Sequence, residues 1–298
     1  MPDLAIRFDV VAIGVMTGLG YALLASGLVL VYRATRVINL AHGQIGTFAA
    51  FLFVLLSHNA GLPYPAALVL AIAAGGLVGL AVERGLVRPL AQRSRLAVLV
   101  ATVGVIQVLL VVQALLPDVI GARYPLAVQW DAEIGNLVLH GEHFTLLLLG
   151  PVVLVGFALF LDRSRTGLAI RAIADNRAAG QLAGISAERV STVVWLMAGV
   201  LAALAAMLTT PLSGGGFAAG TSIALGPELL LRALAAARVG GMTDLRLTVV
   251  GGIGIGVIEA VLFASYPADL GLVDVALFVL ILALLVFQGR DASGRRRS

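Results

Sequence analysis

Apolar runs of 18 or more residues recur along the whole chain, and this feature restricts the fold more than any other. A run of that length forms a helix that can cross a hydrocarbon core about 30 Å thick. The chain has 60% hydrophobic and 12% charged residues, whereas soluble domains have roughly 25% charged residues. We therefore expect an all-α polytopic membrane protein in which residues 1–298 form a single transmembrane domain.

The hydropathy pattern predicts about eight to nine membrane segments. They are residues 10–32, 44–57, 65–82, 96–116, 144–161, 190–210, 225–237, 247–264 and 272–287. The second and the seventh segments are shorter than the roughly 20 residues of an ordinary span. Whether the segment at 225–237 crosses the whole membrane therefore stays open.

The basic residues indicate the orientation of the chain. Arginine clusters at 33–36, 84–95, 163–189, 238–246 and 290–297 fall on one side if the segments cross alternately, and the other loops share one arginine. The positive-inside rule places the clusters in the cytoplasm, so the N-terminus is outside and the C-terminus is cytoplasmic. All 20 basic residues are arginine, which excludes a phosphate-binding loop with a lysine and thus an ATPase in this chain.

Two stretches of similar sequence suggest an internal repeat. GGLVGLAVE at 75–83 and GGIGIGVIE at 251–259 share a glycine pair and a glutamate at the same spacing. With alternate crossings the two stretches run in opposite directions, as an inverted repeat requires. The alternative is that glycine-rich helices resemble one another because small residues allow close helix packing.

The stretch INLAHGQIG places Asn39, His42 and Gln44 where the second segment enters the membrane. Non-helical backbone at membrane depth occurs where protein or a water-filled cavity satisfies it, and transporters use such breaks to form binding sites. We therefore interpret the three polar residues as bordering a translocation pathway. A cytoplasmic turn in which Asn39 caps the following helix explains the same residues equally well.

The fourth segment contains three polar side chains, Thr102, Gln107 and Gln113. Polar groups in lipid are costly, so they face other helices or a cavity. We expect Thr102 and Gln107 to border the pathway. For Gln113, which lies near the outer end, we expect a hydrogen bond between helices.

Few ionisable residues lie within the apolar segments. Glu228 and Arg232 have the i,i+4 spacing of a structural ion pair on one helix face. Glu83 and Glu259 lie near segment ends, where their side chains can extend to the membrane surface. The outer motif HGEH at 140–143 has too few ligands for a metal site, so we expect none.

The longest predicted cytoplasmic segment, about residues 162–189, carries five arginines and three acidic residues. Alanines around 171–182 favour a short amphipathic helix between Gly167 and Gly184. Such a helix held against the membrane is suited to docking a cytoplasmic partner. A solvated loop is the alternative that a run of charges ordinarily indicates.

Four blocks of the chain resemble one family, the LivH-type membrane permeases of branched-chain amino acid ABC importers. The blocks are GLVLVYRATRVINLAHGQIGTFAAF, VERGLVRPLAQRSRLAVLVATVGV, TGLAIRAIADNRAAGQLAGI and RVGGMTDLRLTVVGGIGIGVIE. They occur in the family's order and cover nearly the whole chain. The last block departs from the family pattern at residues 245–247, where small residues are usual.

The resemblance implies a type II-like ABC importer permease fold in a bacterial plasma (inner) membrane. It implies a paralogous permease subunit, two cytoplasmic ATPase subunits and a periplasmic or lipid-anchored solute-binding protein as partners. This chain is then not an enzyme and holds no cofactor, because the ATPase subunits bind ATP. The residues that would contact the ATPase are Thr166, Gly167, Arg171, Ala172, Asp175, Asn176, Arg177, Ala179 and Gly184.

The expected cargo is branched-chain or other hydrophobic amino acids, with urea, short amides or another small solute as the alternative. An ion-coupled secondary transporter is a rival of another class, and it would carry ionisable residues at mid-membrane depth. An intramembrane enzyme would need catalytic groups that converge, and no nucleophile lies near His42 in the sequence. Whether the pore is homodimeric or heterodimeric stays open.

Overall fold

The computed structural model describes residues 7–91, 94–117, 119, 122, 124–126, 130–134, 137–213, 221–266 and six positions between 275 and 283. A two-stranded hairpin, β1 (Ala132–Ile134) and β2 (Leu137–Leu139), is the described strand structure. The helices are α1 (Phe8–Thr35), α2 (His42–His58), α3 (Tyr64–Val82), α4 (Arg88–Ala91), α5 (Arg95–Leu115), α6 (Gly141–Arg163), α7 (Arg165–Asp175), α8 (Arg177–Leu182), α9 (Ala187–Thr209), α10 (Thr221–Val239) and α11 (Leu245–Ser265).

The described helices confirm the predicted all-α polytopic fold. Helices α2 and α10, with 17 and 19 residues, correspond to the two short predicted segments. The predicted segment 272–287 lies largely outside the described residues. Six helices in the described part of the chain are long and apolar enough to cross a membrane, namely Phe8–Thr35, Tyr64–Leu90, Leu96–Leu115, Gly141–Arg163, Ala187–Leu212 and Leu245–Ser265.

Short polar side chains begin the helices that follow the arginine clusters. Ser94, Ser164, Asn176 and Ser186 each accept a hydrogen bond from a backbone N–H in the next turn, at 2.8–3.3 Å. Asp244 does the same for α11, where the sequence departs from the family pattern. These caps satisfy N–H groups that have no partner inside the helix and therefore fix where each helix starts.

Glycines bring α1 and α11 into close antiparallel contact. Gly14 and Gly18 lie against the backbone of Gly256 and Ile253, and Gly252 lies against Ala22. The order of these contacts shows that the two helices run in opposite directions. Small residues permit this approach because a Cβ atom at any of these glycines would overlap the neighbouring helix.

Helices α3 and α9 pack in the same manner. Gly75 lies against Ala203 and Gly199, and Gly79 lies against the backbone of Trp195, so this pair is also antiparallel. Of the glycine pair that the two similar stretches share, Gly76 lies against α9 and Gly252 against α1, whereas Gly75 lies against α9 and Gly251 against α10.

The contacts between helices have the symmetry that an inverted repeat requires. The exchange of α1 with α9, α2 with α10 and α3 with α11 turns each contact of one half into a contact of the other. The α3–α9 contact becomes α11–α1, the α2–α9 contact becomes α10–α1, and the α2–α3 contact becomes α10–α11. All six pairs are in contact. Because α1 is antiparallel to both α9 and α11, and α9 to α3, the stretches 75–83 and 251–259 run in opposite directions.

The expectation that Glu83 and Glu259 extend to the membrane surface is wrong. The two residues are 1% and 5% exposed. Glu83 lies 3.4 Å from Arg88 and accepts a hydrogen bond from Thr192 of α9. A carboxylate buried among helices needs such partners because its desolvation is costly.

Residues 165–182 form two helices, which corrects the prediction of one short helix over residues 171–182. Asn176 has an extended backbone, with φ −147° and ψ 101°, and it separates α7 from α8. Its side chain accepts the N–H of Ala179 and thereby starts α8. Gly184 follows the end of α8 and has φ +83°, a conformation that glycine adopts at little cost.

Candidate functional site

The chain returns into the bundle after α1. Arg36 ends this helix in a left-handed conformation, with φ 58° and ψ 26°, and its N–H donates to the carbonyl of Tyr32. Helix α2 then starts with His42, which packs beside Gly27. Gly27 precedes the last residue of α1, Thr35, by eight residues, which corresponds to about 12 Å along a helix axis. Helix α2 therefore begins well inside the bundle.

The backbone between α1 and α2 is satisfied by protein groups. The side chain of Asn39 accepts the N–H of Ala41 at 3.1 Å, and Asn39 is 1% exposed. The hydroxyl of Thr102 on α5 lies 3.4 Å from the N–H of Leu40 and donates to Leu99 at 2.7 Å. Asn39 thus closes the turn before α2 at a buried position, but it is not the cap of α2, whose N-cap residue is Ala41.

His42 is fully buried against α1. Its Nε2 lies 3.0 Å from the carbonyl oxygen of Leu24. Because a carbonyl accepts only, Nε2 carries the hydrogen of this bond. Nδ1 has no hydrogen-bond partner within the described residues. This geometry fits a neutral imidazole that fixes the start of α2.

Two glutamine amides connect α2 with α5. Nε2 of Gln44 donates to Oε1 of Gln113 at 2.8 Å. Gln44 is 1% exposed, and Gln113 is partly exposed. The hydrogen bond between helices that we expect for Gln113 is therefore present, and its partner is a residue of the predicted pathway.

Helix α10 crosses α2 at the same place. Gly43 lies against the backbone of Gly226, and Gly226 lies against Gln44 and Thr47. A side chain on either glycine would overlap the other helix. The start of α2 and the first half of α10 are thus in direct contact, and the polar residues of α2 surround this contact.

Gln107 lies apart from the other predicted pathway residues. It is exposed on α5, whereas Thr102 is 1% exposed and contacts the start of α2. Thr102 and Gln113 are 11 residues apart, which is close to three helical turns and places both on one face. A spacing of five residues places Gln107 on another face. Helical periodicity could have identified Gln113 as the partner of this site.

A buried ion pair connects α10 with α11 and α1. Arg232 lies 2.7 Å from Glu259, and the hydroxyl of Tyr21 donates to Glu259 at 2.6 Å. The expected pair of Arg232 with Glu228 is present at 3.7 Å, but the Glu228 side chain is 55% exposed. Glu259 is thus the closer partner, and the i,i+4 pattern did not reveal it.

A cavity of about 580 Å³ lies beside this ion pair. Tyr21 and Glu259 contribute polar groups to a mostly apolar wall. The predicted pathway residues do not line this cavity. The described residues also include no cluster of three or more acidic or histidine side chains that could hold a metal ion.

The predicted ATPase-contacting residues divide into an exposed group and a packed group. Gly167 is buried against the backbone of Leu161, and the partly buried Arg171 pairs with Asp162 at 3.2 Å. Ala172 is partly buried. The exposed members are Thr166, Asp175, Asn176, Arg177, Ala179 and Gly184.

Two exposed leucines accompany that group. Leu168 and Leu182 are 62% and 91% exposed on α7 and α8. The charges and alanines of this segment gave no signal for them. The two leucines lie on the same two helices as the exposed members of the predicted ATPase contact. The exposed group together with these leucines is the candidate coupling surface.

Helix α7 also contacts the region where α1 ends. The guanidinium of Arg36 donates to the carbonyl of Ala174 at 3.2 Å. Ala174 lies in the last turn of α7, where carbonyl groups lack partners inside the helix. Arg36 therefore connects α7 to the residues that lead into α2.

Comparison with known proteins identifies the family. Residues 10–287 match the family described as branched-chain amino acid transport system, permease component. The chain is 28% identical to the high-affinity branched-chain amino acid transport system permease protein BraD of Pseudomonas aeruginosa, over 99% of this chain and 98% of that protein.

A second relative is the corresponding permease protein LivH of Escherichia coli, which is 26% identical over 95% of this chain and 94% of its own length. A probable LivH of Methanocaldococcus jannaschii is 28% identical over 80% of this chain and 76% of its own length. No solved structure matches the chain. The chain belongs to the LivH-type family of branched-chain amino acid transport permeases.

Proposed function

We propose that this protein is the permease subunit of an ABC importer that carries branched-chain or other hydrophobic amino acids across the bacterial inner membrane. A solute-binding protein delivers the cargo, and two ATPase subunits bind and hydrolyse ATP on the cytoplasmic side. A second permease subunit completes the pathway. The chain itself carries out no covalent chemistry and needs no cofactor.

The break between α1 and α2 is the observation that carries this proposal. Asn39, His42 and Gln44 are each at most 1% exposed, and they cluster where α2, α5 and α10 meet. Polar groups inside a membrane bundle are costly and mark solute pathways. The relatives BraD and LivH are named as branched-chain amino acid permeases, which supports branched-chain amino acids as the cargo.

Reconstitution tests the proposal. The permease is coexpressed with ATPase, second-permease and binding-protein subunits of the same importer family from the same organism, and the purified complex is placed in proteoliposomes. We expect the ATPase subunits to copurify and radiolabelled leucine to enter only with ATP and binding protein. A matched complex whose ATPase lacks its phosphate-binding lysine should assemble without transport.

The rival ion-coupled transporter would use buried ionisable groups. Glu259 and Arg232 are such groups, but they pair with each other at 2.7 Å and lie away from Gln44 and its neighbours. Uptake driven by a proton or sodium gradient without ATPase subunits would replace the importer proposal with this rival.

The alternative cargo is urea or a short amide. It is tested in the same proteoliposomes with radiolabelled urea and acetamide in place of leucine. ATP-dependent uptake of either one, without uptake of leucine, would keep the importer mechanism and change the cargo.

A further inference from the structure

The amide pair between α2 and α5 leaves two hydrogen-bonding groups unused. Oε1 of Gln44 and Nε2 of Gln113 are buried and have no hydrogen-bond partner in the described part of the chain. If oxygen and nitrogen are exchanged in both amides, one donor and one acceptor still stay unused. Two amides that share one hydrogen bond always retain further donor and acceptor capacity.

Buried polar groups without partners are uncommon in native proteins, because each one loses its hydrogen bonds to water on folding. Here they occur beside the contact between Gly43 and Gly226, which brings α10 against Gln44. The third unused group nearby is Nδ1 of His42. Three of the buried groups without a partner in the described residues thus belong to Gln44, to Gln113 and to His42 at the start of α2.

The groups around this point carry no formal charge. The buried carboxylates of Glu83 and Glu259 are held by Arg88 and Arg232. A neutral donor and a neutral acceptor side by side suit a solute headgroup that presents both functions and has no net charge.

We propose that Gln44 and Gln113 form the headgroup-recognition site for the solute, which is a deeper reading of the proposed importer function and depends on it. When α2 and α5 separate, the amide oxygen of Gln44 accepts a hydrogen bond from the α-ammonium group of an amino acid. The amide nitrogen of Gln113 donates to its α-carboxylate. In the present conformation Gly226 closes the site over Gln44.

The variant Gln113→Glu tests this assignment because it keeps an acceptor for Gln44 and removes the free donor, and copurification of the ATPase subunits checks that the permease is still folded. A carboxylate still accepts the hydrogen bond from Nε2 of Gln44, so the contact between α2 and α5 is kept. The free donor is replaced by a negative oxygen that repels the solute carboxylate. Asn59→Asp is the matched control, because it makes the same amide-to-carboxylate change at an exposed residue just after α2.

The measured quantity is radiolabelled leucine imported per ATP hydrolysed by the complete complex in proteoliposomes. Loss of a hydrogen bond to a charged group typically lowers binding about tenfold or more, so we expect a loss of about tenfold for Gln113→Glu and none for Asn59→Asp. An unchanged ratio for Gln113→Glu overturns the assignment. Absence of ATP-dependent uptake in the parent complex would instead refute the proposed function.

A second variant separates solute recognition from a purely structural role. Replacing both partners of a buried hydrogen bond by apolar groups of similar shape is nearly neutral for stability. We therefore expect the double variant Gln44→Met, Gln113→Leu to fold and retain its ATPase subunits while its leucine import stays about tenfold reduced. Import at the parental ratio would show that the amides only join two helices.

Discussion

Removal of the Arg232 guanidinium is predicted to destabilise the permease more than any other single change in the ion-pair cluster of Tyr21, Glu228, Arg232 and Glu259. Arg232→Met leaves the 5% exposed Glu259 without its cationic partner. Breaking a buried pair from one side typically costs about 3–5 kcal/mol, because the remaining charge stays desolvated. At about 2 °C per kcal/mol for a large chain, the unfolding midpoint falls by about 6–10 °C.

The neighbouring groups provide graded comparisons. Tyr21→Phe removes one hydrogen bond of 2.6 Å to a carboxylate, and such bonds contribute about 1.5–3 kcal/mol. Glu228→Gln removes a 3.7 Å contact to a carboxylate that is 55% exposed, so a change within about 0.5 kcal/mol is expected. The predicted order of destabilisation is Arg232→Met, then Tyr21→Phe, then Glu228→Gln.

The assay heats the detergent-solubilised permease and measures the monodisperse fraction by size-exclusion chromatography. The double variant Arg232→Met, Glu259→Met removes both charges, so it should recover part of the loss seen in Arg232→Met alone. Equal midpoints for Arg232→Met and Glu228→Gln would refute the reasoning. That result would mean that Glu259 finds water or another partner when Arg232 is absent.

Three further predictions concern the crossing of α2 and α10, the orientation and the coupling surface. Gly226→Ala places a methyl group against Gln44 and should lower uptake at least several-fold, whereas Gly254→Ala, where a Cβ meets open space, should leave uptake unchanged. Ser298→Cys should resist an impermeant thiol reagent in intact cells and react in inverted vesicles, because the C-terminus is predicted to be cytoplasmic. Ala179→Trp adds bulk to the exposed start of α8; normal permease abundance with weakened ATPase copurification is expected, and full copurification would place the docking surface elsewhere.

The positions of the helices could be predicted from the sequence because hydropathy over 18 residues reports directly whether a segment can lie in lipid. The two short segments were predicted for the same reason, and α2 and α10 occupy them. The break at Asn39 was one of two alternatives that the sequence left open, because the same polar residues also fit a cytoplasmic turn.

The partners of the polar residues could not be predicted from their own segments. Glu259 and Arg232 are 27 residues apart, and Gln44 and Gln113 are 69 residues apart. Local rules such as i,i+4 spacing report neighbours on one helix, and they favoured Glu228 as the partner of Arg232. Which helices meet depends on how their small residues pack, and that is a property of the whole bundle.

The break between helices α7 and α8 could not be predicted from the sequence either. Alanine-rich sequence over 171–182 favours a helix, but Asn176 competes by capping the N–H of Ala179 at 3.1 Å. Propensity summed over the segment therefore predicts helix content correctly and misses the break. The pairing of Arg171 with Asp162 was likewise hidden, because it depends on how α7 folds back on α6.

The equivalent carboxylates of the two repeats differ in how closely they are held. Glu259 has contacts of 2.6–2.8 Å to Tyr21 and Arg232, whereas those of Glu83 to Thr192 and Arg88 are 3.3–3.4 Å. In transporters with inverted repeats, one half moves against the other around a fixed site. Exchanging the conformations of the halves would shorten the contacts of Glu83 and lengthen those of Glu259. Glu83 lies at the end of α3 and Glu259 contacts Tyr21 in the middle of α1, so the exchange would act at two different depths of the bundle.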